Sequence, residues 1–300
     1  MSIDPRFSVL VDGYTYFECP RWHEDRLWLS DFYTGQVIRV ALDGQVERMA
    51  DVPQQPSGLG WLPDGRLLIV SMRDRKLLRR EPNGQLVVHA DLSGMAAGHL
   101  NDMVVDAQGR AYVGNFGFDL MGGGTPATAV LARVDPDGSV HRAADGLYFP
   151  NGSMITPDGR TLIVCETIGN RISAFDIAAD GSLGPRRDWA CFGDPPPLTD
   201  VASAMGALKA LPDGATMDAE GAVWFSDSGR NCVVRVAPGG EVLDTLSTGS
   251  MGTFACALGG PDGHTLFICV APDFHEEARK AAREAAVWTT RVQVPHAGRP

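Results

Sequence analysis

Short apolar runs separated by tight turns organise almost the whole chain. Arg66-Leu-Leu-Ile-Val70, Ala111-Tyr-Val113, Thr161-Leu-Ile-Val164, Ala222-Val-Trp-Phe225 and Thr265-Leu-Phe-Ile-Cys-Val270 are rich in β-branched or aromatic residues. Their length and composition predict strands. Between them stand turns of one kind: Asp43-Gly44, Asp64-Gly65, Asn83-Gly84, Gln108-Gly109, Asp137-Gly138, Asp158-Gly159, Asp180-Gly181, Glu220-Gly221, Gly239-Gly240 and Asp262-Gly263. Asp-Gly and Asn-Gly supply the positive φ that a hairpin turn needs. A helical period appears only from Phe274 to Ala286, where Ala, Glu, Arg and Lys dominate.

Aligned on these turns, one segment recurs. It reads Glu18-Cys-Pro-Arg-Trp-His-Glu-Asp25, Ser57-Gly-Leu-Gly-Trp-Leu-Pro-Asp64, Asn101-Asp-Met-Val-Val-Asp-Ala-Gln108, Asn151-Gly-Ser-Met-Ile-Thr-Pro-Asp158 and Asp213-Gly-Ala-Thr-Met-Asp-Ala-Glu220, with a weaker copy at Ala255-Cys-Ala-Leu-Gly-Gly-Pro-Asp262. Six copies of a unit of roughly forty to sixty residues, each with about four strands, predict a six-bladed β-propeller. The competing all-β reading is a sandwich with fortuitous turns. A propeller is a single domain, so residues 1–300 carry no internal boundary in this reading.

In a propeller the innermost strand of each blade begins at one mouth of the central channel. The aligned positions Glu18, Ser57, Asn101, Asn151, Asp213 and Ala255 then ring that channel. Glu18, Asn101, Asn151 and Asp213 contribute side-chain oxygens, and none of the six is basic. An all-oxygen set with two carboxylates suits a hard divalent cation: Ca²⁺ or Mg²⁺ first, with Mn²⁺ and Zn²⁺ as alternatives. Taken singly, Asn151 and Asp213 in Pro-Asn-Gly and Pro-Asp-Gly also read as plain turn formers. Their shared register across blades favours the central metal site.

Phe17-Glu18-Cys-Pro-Arg-Trp22, the Asn101-Asp102 pair, Phe149-Pro-Asn151-Gly152, Leu211-Pro-Asp213-Gly-Ala-Thr-Met-Asp-Ala-Glu-Gly221 and the closing Val287-Trp-Thr-Thr-Arg-Val-Gln-Val-Pro295 resemble the senescence marker protein-30/gluconolactonase family over nearly the whole chain. The resemblance implies one catalytic divalent ion, with Ca²⁺ the leading choice, and lactone hydrolysis as the activity. By motif position, Glu18, Asn151 and Asp213 correspond to the metal ligands. Asn101 corresponds to a residue that contacts substrate or completes the metal shell. The chain departs from the family at His99, where members acting on sugar lactones often carry Arg. A permanently charged five-donor fork is replaced there by a smaller group that can be neutral. His99 therefore reads either as a substrate contact favouring a less polar lactone or as a loop residue facing solvent.

Two long segments stand near the same mouth. Gly117–Thr125, with Phe118 and Asp119 as substrate-contact candidates, follows the second strand of blade three, and Cys191–Gly206 joins blades four and five. Long loops at such mouths commonly cover substrates. Cys19, Trp22, Trp61 and Trp224 read as packing residues, and Phe274-His275-Glu276-Glu277 lacks the second His of a zincin helix. No Gly-x-Ser-x-Gly elbow, P-loop or dinucleotide fingerprint is present.

Composition narrows the partners. Twenty-six Lys and Arg against 37 Asp and Glu give a net charge of −11, which disfavours nucleic acid and anionic membrane surfaces. No apolar stretch reaches a bilayer-spanning length, and Met1–Arg6 lacks the pattern of a signal peptide. Six scattered cysteines without a CxxC pair predict a reduced, soluble, cytoplasmic protein acting on a small molecule. The expected reaction is hydrolysis of a cyclic ester, with the ion polarising the carbonyl and Asp213 accepting the proton of the attacking water. The alternatives are a phosphotriesterase-like hydrolase on the same ion and a metal-binding propeller without turnover.

Overall fold

The turn chemistry is realised along the chain. In the computed structural model, which describes residues 4–298, the glycines of all the Asp-Gly-type turns named above adopt positive φ. The strands they connect form six four-stranded sheets. Within blades one to five the four strands follow one another in sequence. The innermost strands of blades one to six are Phe17–His23, Pro56–Trp61, Leu100–Val105, Pro150–Ile155, Pro212–Met217 and Gly252–Gly259. Blade six is closed differently. Its outermost strand is Ser8–Tyr14, which pairs antiparallel with the C-terminal strand Ala285–Arg291. The two ends of the chain are thus held in one sheet, which closes the ring between the last blade and the first.

Middle strands carry the core. Leu27 and Leu29 of blade one and Leu68 and Val70 of blade two are fully buried in one shared cluster. Each such side chain contributes about 1.5–3 kcal/mol on leaving water. Trp224 is buried as expected, while Trp22 and Trp61 are only half-buried; Trp22 stacks on Phe267 at 5.5 Å, and Trp61 stacks on His23 at 3.9 Å. Cys19 packs between blades, with its sulfur 3.5 Å from Ser57 Oγ. Cys191, in contrast, is exposed.

The inner strands share one irregularity that spacing alone does not reveal. Each has a register shift where it enters the channel, between Glu18 and Arg21, Pro56 and Leu59, Leu100 and Met103, Pro150 and Ser153, Pro212 and Ala215, and Thr253 and Ala255. A bulge of this kind bends a strand and re-aims its side chains. In blades one, three, four and five it turns the ring position, Glu18, Asn101, Asn151 or Asp213, into the channel mouth. Just after the ring positions, backbones of neighbouring blades come very close. A Cβ added at Gly58 would lie 2.6 Å from Met103 N, and one at Gly214 would lie 2.4 Å from Ala255 Cβ.

Behind the ring, the channel is crossed by a buried ion pair. Arg21 Nη2 of blade one donates to Asp102 Oδ1 of blade three at 2.6 Å and to the Met103 carbonyl at 2.9 Å, and Nη1 donates to the Pro20 carbonyl at 3.0 Å. Removing one partner from such a pair typically costs about 3–5 kcal/mol, because the other charge stays buried.

Two departures from the sequence reading concern helices. The C-terminal helix α2 is confined to Glu276–Ala282; Arg283 turns left-handed at φ 48°, and Ala285 and Ala286 belong to the closing strand. Pairing of Ala286 with Val270 and of Ala285 with Tyr14 overrides their helix propensity. A second helix, α1 (Val201–Gly206), stands in the long connection before blade five, capped by Asp200, which accepts from Ser203 N. Six residues are too few to show a helical period. Neither helix is long or apolar enough to cross a membrane, and no other described helix is. The Met1–Ile3 part of the segment read for a targeting signal lies outside the described residues.

The close approach of inner strands sets a test. Gly58→Ala should lower Tm by several degrees, as overpacking of about 1–3 kcal/mol requires. Gly94→Ala, where an added Cβ meets nothing within 4 Å, should leave Tm unchanged. Equal melting of the two variants in calorimetry would mean that blade spacing is not set by these contacts.

Candidate functional site

Four of the six ring positions reach a common cavity of about 860 Å³ at one mouth of the channel: Glu18, Asn101, Asn151 and Asp213. Ser57 and Ala255 are fully buried and do not line it. In blade two the ring position instead packs between strands, where the Ser57 carbonyl accepts from Ser30 Oγ at 2.6 Å.

The cavity wall repeats the same blade logic in two further tiers. Two residues before each ring position stand Tyr16, Gln55, His99, Phe149 and Leu211, and all five line the cavity. The carbonyl of each accepts from the amide just beyond the second strand of its blade: Phe32, Met72, Phe116, Thr167 and Ser228, at 2.9, 2.9, 3.0, 3.0 and 3.2 Å. Those five side chains form the second tier of the wall. Sequence reasoning reached only His99 among these ten. Reading the repeat register two residues earlier, and one residue past each second strand, would have found the rest.

Glu18 and Asp213 are both buried, and neither has a Lys, Arg or His ion-pair partner among the described residues. Glu18 Oε1 accepts from Tyr16 OH at 3.4 Å and Oε2 from Cys19 N at 3.2 Å, both long contacts. Burial first, then the neighbouring Asp213 and Asp102 charges, raises the Glu18 carboxyl well above its ordinary range. Burial pushes Asp213 up to about 8, against hydrogen bonds from Ser228 and Asn151 that favour the ionised form. Two buried carboxylates without an ion-pair partner are stabilised by a cation placed between them.

The amides complete the set. Asn151 Nδ2 donates to Thr167 Oγ1 at 3.0 Å and to Asp213 Oδ1, and Thr167 Oγ1 passes its own hydrogen to the Pro212 carbonyl at 3.0 Å. Thr167 can therefore only accept from Asn151, which fixes the amide and leaves Asn151 Oδ1 free to face a cation. Asn101 is buried with its Nδ2 unpartnered, so the protein leaves this amide available. Among the described residues no three His, Cys, Asp or Glu side chains cluster as metal ligands. The donor set here is two carboxylates and amide oxygens, which fits Ca²⁺ or Mg²⁺ better than a softer ion.

The remaining sequence candidates divide. His99 and Phe118 line the cavity, and the His99 ring lies 5.8 Å from that of Phe116. Burial, followed by the Arg73 charge, lowers the His99 pKa below its ordinary value, so the ring is neutral at pH 7. Asp119 does not line the cavity. It is exposed, and its carboxylate is taken up inside its own loop, accepting from Gly122 N at 2.9 Å.

The raised carboxyl pKa values give a signed pH dependence. Without a cation the folded state holds protons that the unfolded state releases, so stability is full at low pH and is lost as pH rises towards about 8. His23, His89 and His99, whose pKa values are lowered, act with the opposite sign up to about pH 6.5. The window to watch is therefore about pH 7–8. Chelated protein should melt progressively lower across it, and saturating Ca²⁺ or Asp213→Asn should flatten the slope. A flat profile in the chelated wild type would contradict an uncompensated pair.

Known proteins resemble this chain over nearly its whole length. The family model describing the SMP-30/gluconolactonase/LRE-like region matches residues 17–272. A 6-deoxy-6-sulfogluconolactonase from Pseudomonas putida is 27% identical over 292 residues, covering 94% of this chain and 93% of that protein. Among solved structures, a gluconolactonase from Xanthomonas campestris superposes with a TM-score of 0.72 at 25% identity, covering 96% of this chain and 89% of that one. A regucalcin from Agrobacterium tumefaciens, described as calcium-binding, superposes at 0.76 with 22% identity over 97% and 95% of the two chains, a likeness that bears on the fold.

Proposed function

Because the chain belongs to the SMP-30/gluconolactonase/LRE-like family, we propose that it is a divalent-metal-dependent hydrolase that opens a lactone. One observation carries the reading. Buried Glu18 and Asp213, without a basic partner, stand with the free oxygen of Asn151 at a cavity large enough for a small molecule. The Pseudomonas putida and Xanthomonas campestris relatives are named for lactone hydrolysis, which supports a cyclic ester over a phosphoester.

Glu18, Asn151 and Asp213 would hold the ion, with Ca²⁺ favoured by the all-oxygen donors. When bound, the ion supplies Lewis-acid polarisation of the lactone carbonyl and offsets charge on the tetrahedral intermediate. Thr167 keeps Asn151 in the orientation that presents its oxygen, and Asn151 in turn steadies Asp213 through its Nδ2. Asp213 accepts the proton of the attacking water as the new C–O bond forms. It returns that proton to the ring oxygen as the ester C–O bond breaks, leaving a hydroxy acid. Asn101, whose amide has no protein partner, meets the substrate. Phe118 and His99 line the wall on the blade-three side.

The test is hydrolysis of a lactone panel, with phosphotriesters alongside, before and after EDTA and after Ca²⁺ is restored. Lactone turnover should vanish with chelation and return with Ca²⁺. Glu18→Gln and Asp213→Asn should each lose about a hundredfold or more in kcat while keeping the β-rich circular dichroism spectrum. Full lactone turnover in EDTA overturns the metal role. Turnover of phosphotriesters alone moves the chain to the phosphoester class, and tight Ca²⁺ binding with no turnover leaves a metal-binding scaffold.

A further inference from the structure

We propose that the lactone taken by this site carries an alkyl or aryl substituent, which lies against an apolar wall above the oxygen donors, rather than a hydroxyl on every carbon. This rests on the lactonase reading and concerns its substrate class.

Size is the first ground. A cavity of about 860 Å³ is far larger than a bare sugar lactone requires; it falls in the upper part of the range of about 300–1,000 Å³ found for drug-sized ligands. The second ground is the chemistry of the wall. Six of the ten side chains in its two tiers are aromatic or aliphatic: Tyr16, Phe32, Met72, Phe116, Phe149 and Leu211. The Phe116 and Phe149 rings pack with centroids 4.4 Å apart. Phe149 does this from a left-handed backbone, φ 58°, a conformation unfavourable for a bulky residue and retained where the surroundings enforce it.

Third, apolar side chains lie exposed around this cavity. Met121 on the blade-three loop, Met205 on α1 and Phe274 before α2 are 56%, 44% and 52% exposed, and all three line it. They come from three separate insertions, and a substituent reaching the mouth would cover them. Exposed apolar side chains gathered at one place mark a binding surface more often than chance.

The polar groups argue the same way. Arg73 is the one Lys or Arg among the lining residues, and it is already engaged: Nε donates to Gln55 Oε1 at 2.7 Å and Nη2 to Glu276 Oε2 at 2.6 Å. That contact also occupies the Gln55 oxygen. Thr167 is committed to Asn151 and Pro212. A polyhydroxylated ring would exchange water for a wall that offers few free donors, and unpaired hydroxyls are costly to bury.

The experiment compares kcat/KM for glucono-δ-lactone with that for a δ-lactone bearing a linear alkyl chain, in Ca²⁺-loaded wild type and in His99→Arg. Wild type should favour the alkyl lactone by at least tenfold, and His99→Arg should move the ratio towards gluconolactone. A calorimetric titration with the matching alkyl-substituted δ-lactam, which is not turned over, should show binding that the unsubstituted lactam lacks by tenfold or more. Hydrolysis of both lactones with gluconolactone preferred, or equal binding of the two lactams, overturns the apolar-substituent proposal and leaves the lactonase reading intact. Hydrolysis of neither lactone, with Ca²⁺ bound, overturns both.

Discussion

Six strands that begin at one channel mouth and converge on one axis cannot choose their neighbours independently. The backbones meet so closely that Gly58 and Gly214 have no room for a Cβ. Every inner strand is bulged near this point, and in blades one, three, four and five the side chain beside the bulge reaches the channel mouth. Whatever the sequence puts at that position is brought together. Here it is two carboxylates and two carboxamides, and burial without a basic partner makes them unfavourable neighbours until a cation lies among them. The Arg21–Asp102 pair sits behind the ring, its guanidinium donating to Asp102 and two carbonyls rather than to a ring carboxylate.

The same convergence separates chemistry by depth. Oxygen donors come from the ring position, while the wall comes from residues two before it and from the residue after each second strand. Because one backbone hydrogen bond per blade ties these two tiers together, their side chains vary without disturbing the ring. Thr167 and Ser228 in blades four and five serve the donors beside them, whereas Phe32, Met72 and Phe116 in blades one to three make that side of the wall apolar. Insertions outside the repeat, the blade-three loop and α1, extend the apolar part and leave the oxygen set untouched.

Much of this was legible because the informative residues are local. An Asp-Gly or Asn-Gly turn states its own backbone, and seven of them, with three further glycine turns between, state the repeat. Once aligned, Glu18, Asn101, Asn151 and Asp213 fall into register without any knowledge of the third dimension. What stayed hidden depends on contacts between distant segments. Arg21 meets Asp102 across 81 residues, and nothing around Arg21 distinguishes it from a solvated strand residue. The bulges leave no spacing signal, so the aiming of the ring could be assumed but not read. Ala285 and Ala286 look helical until their strand partners are known. Asp119 looks like a substrate contact in an apolar loop, yet its own turn, closed by Gly122 N, consumes it.

In the proposed function the converging oxygens of Glu18, Asn151 and Asp213 hold one divalent ion. Anomalous diffraction from crystals of the protein grown with Mn²⁺ in place of Ca²⁺ tests it most directly. A single strong anomalous peak is expected at the channel mouth, within about 2.5 Å of an oxygen from each of these three side chains. No peak there, or a peak ligated by other residues while Glu18 and Asp213 stay clear of it, would mean that these oxygens do not form the metal site.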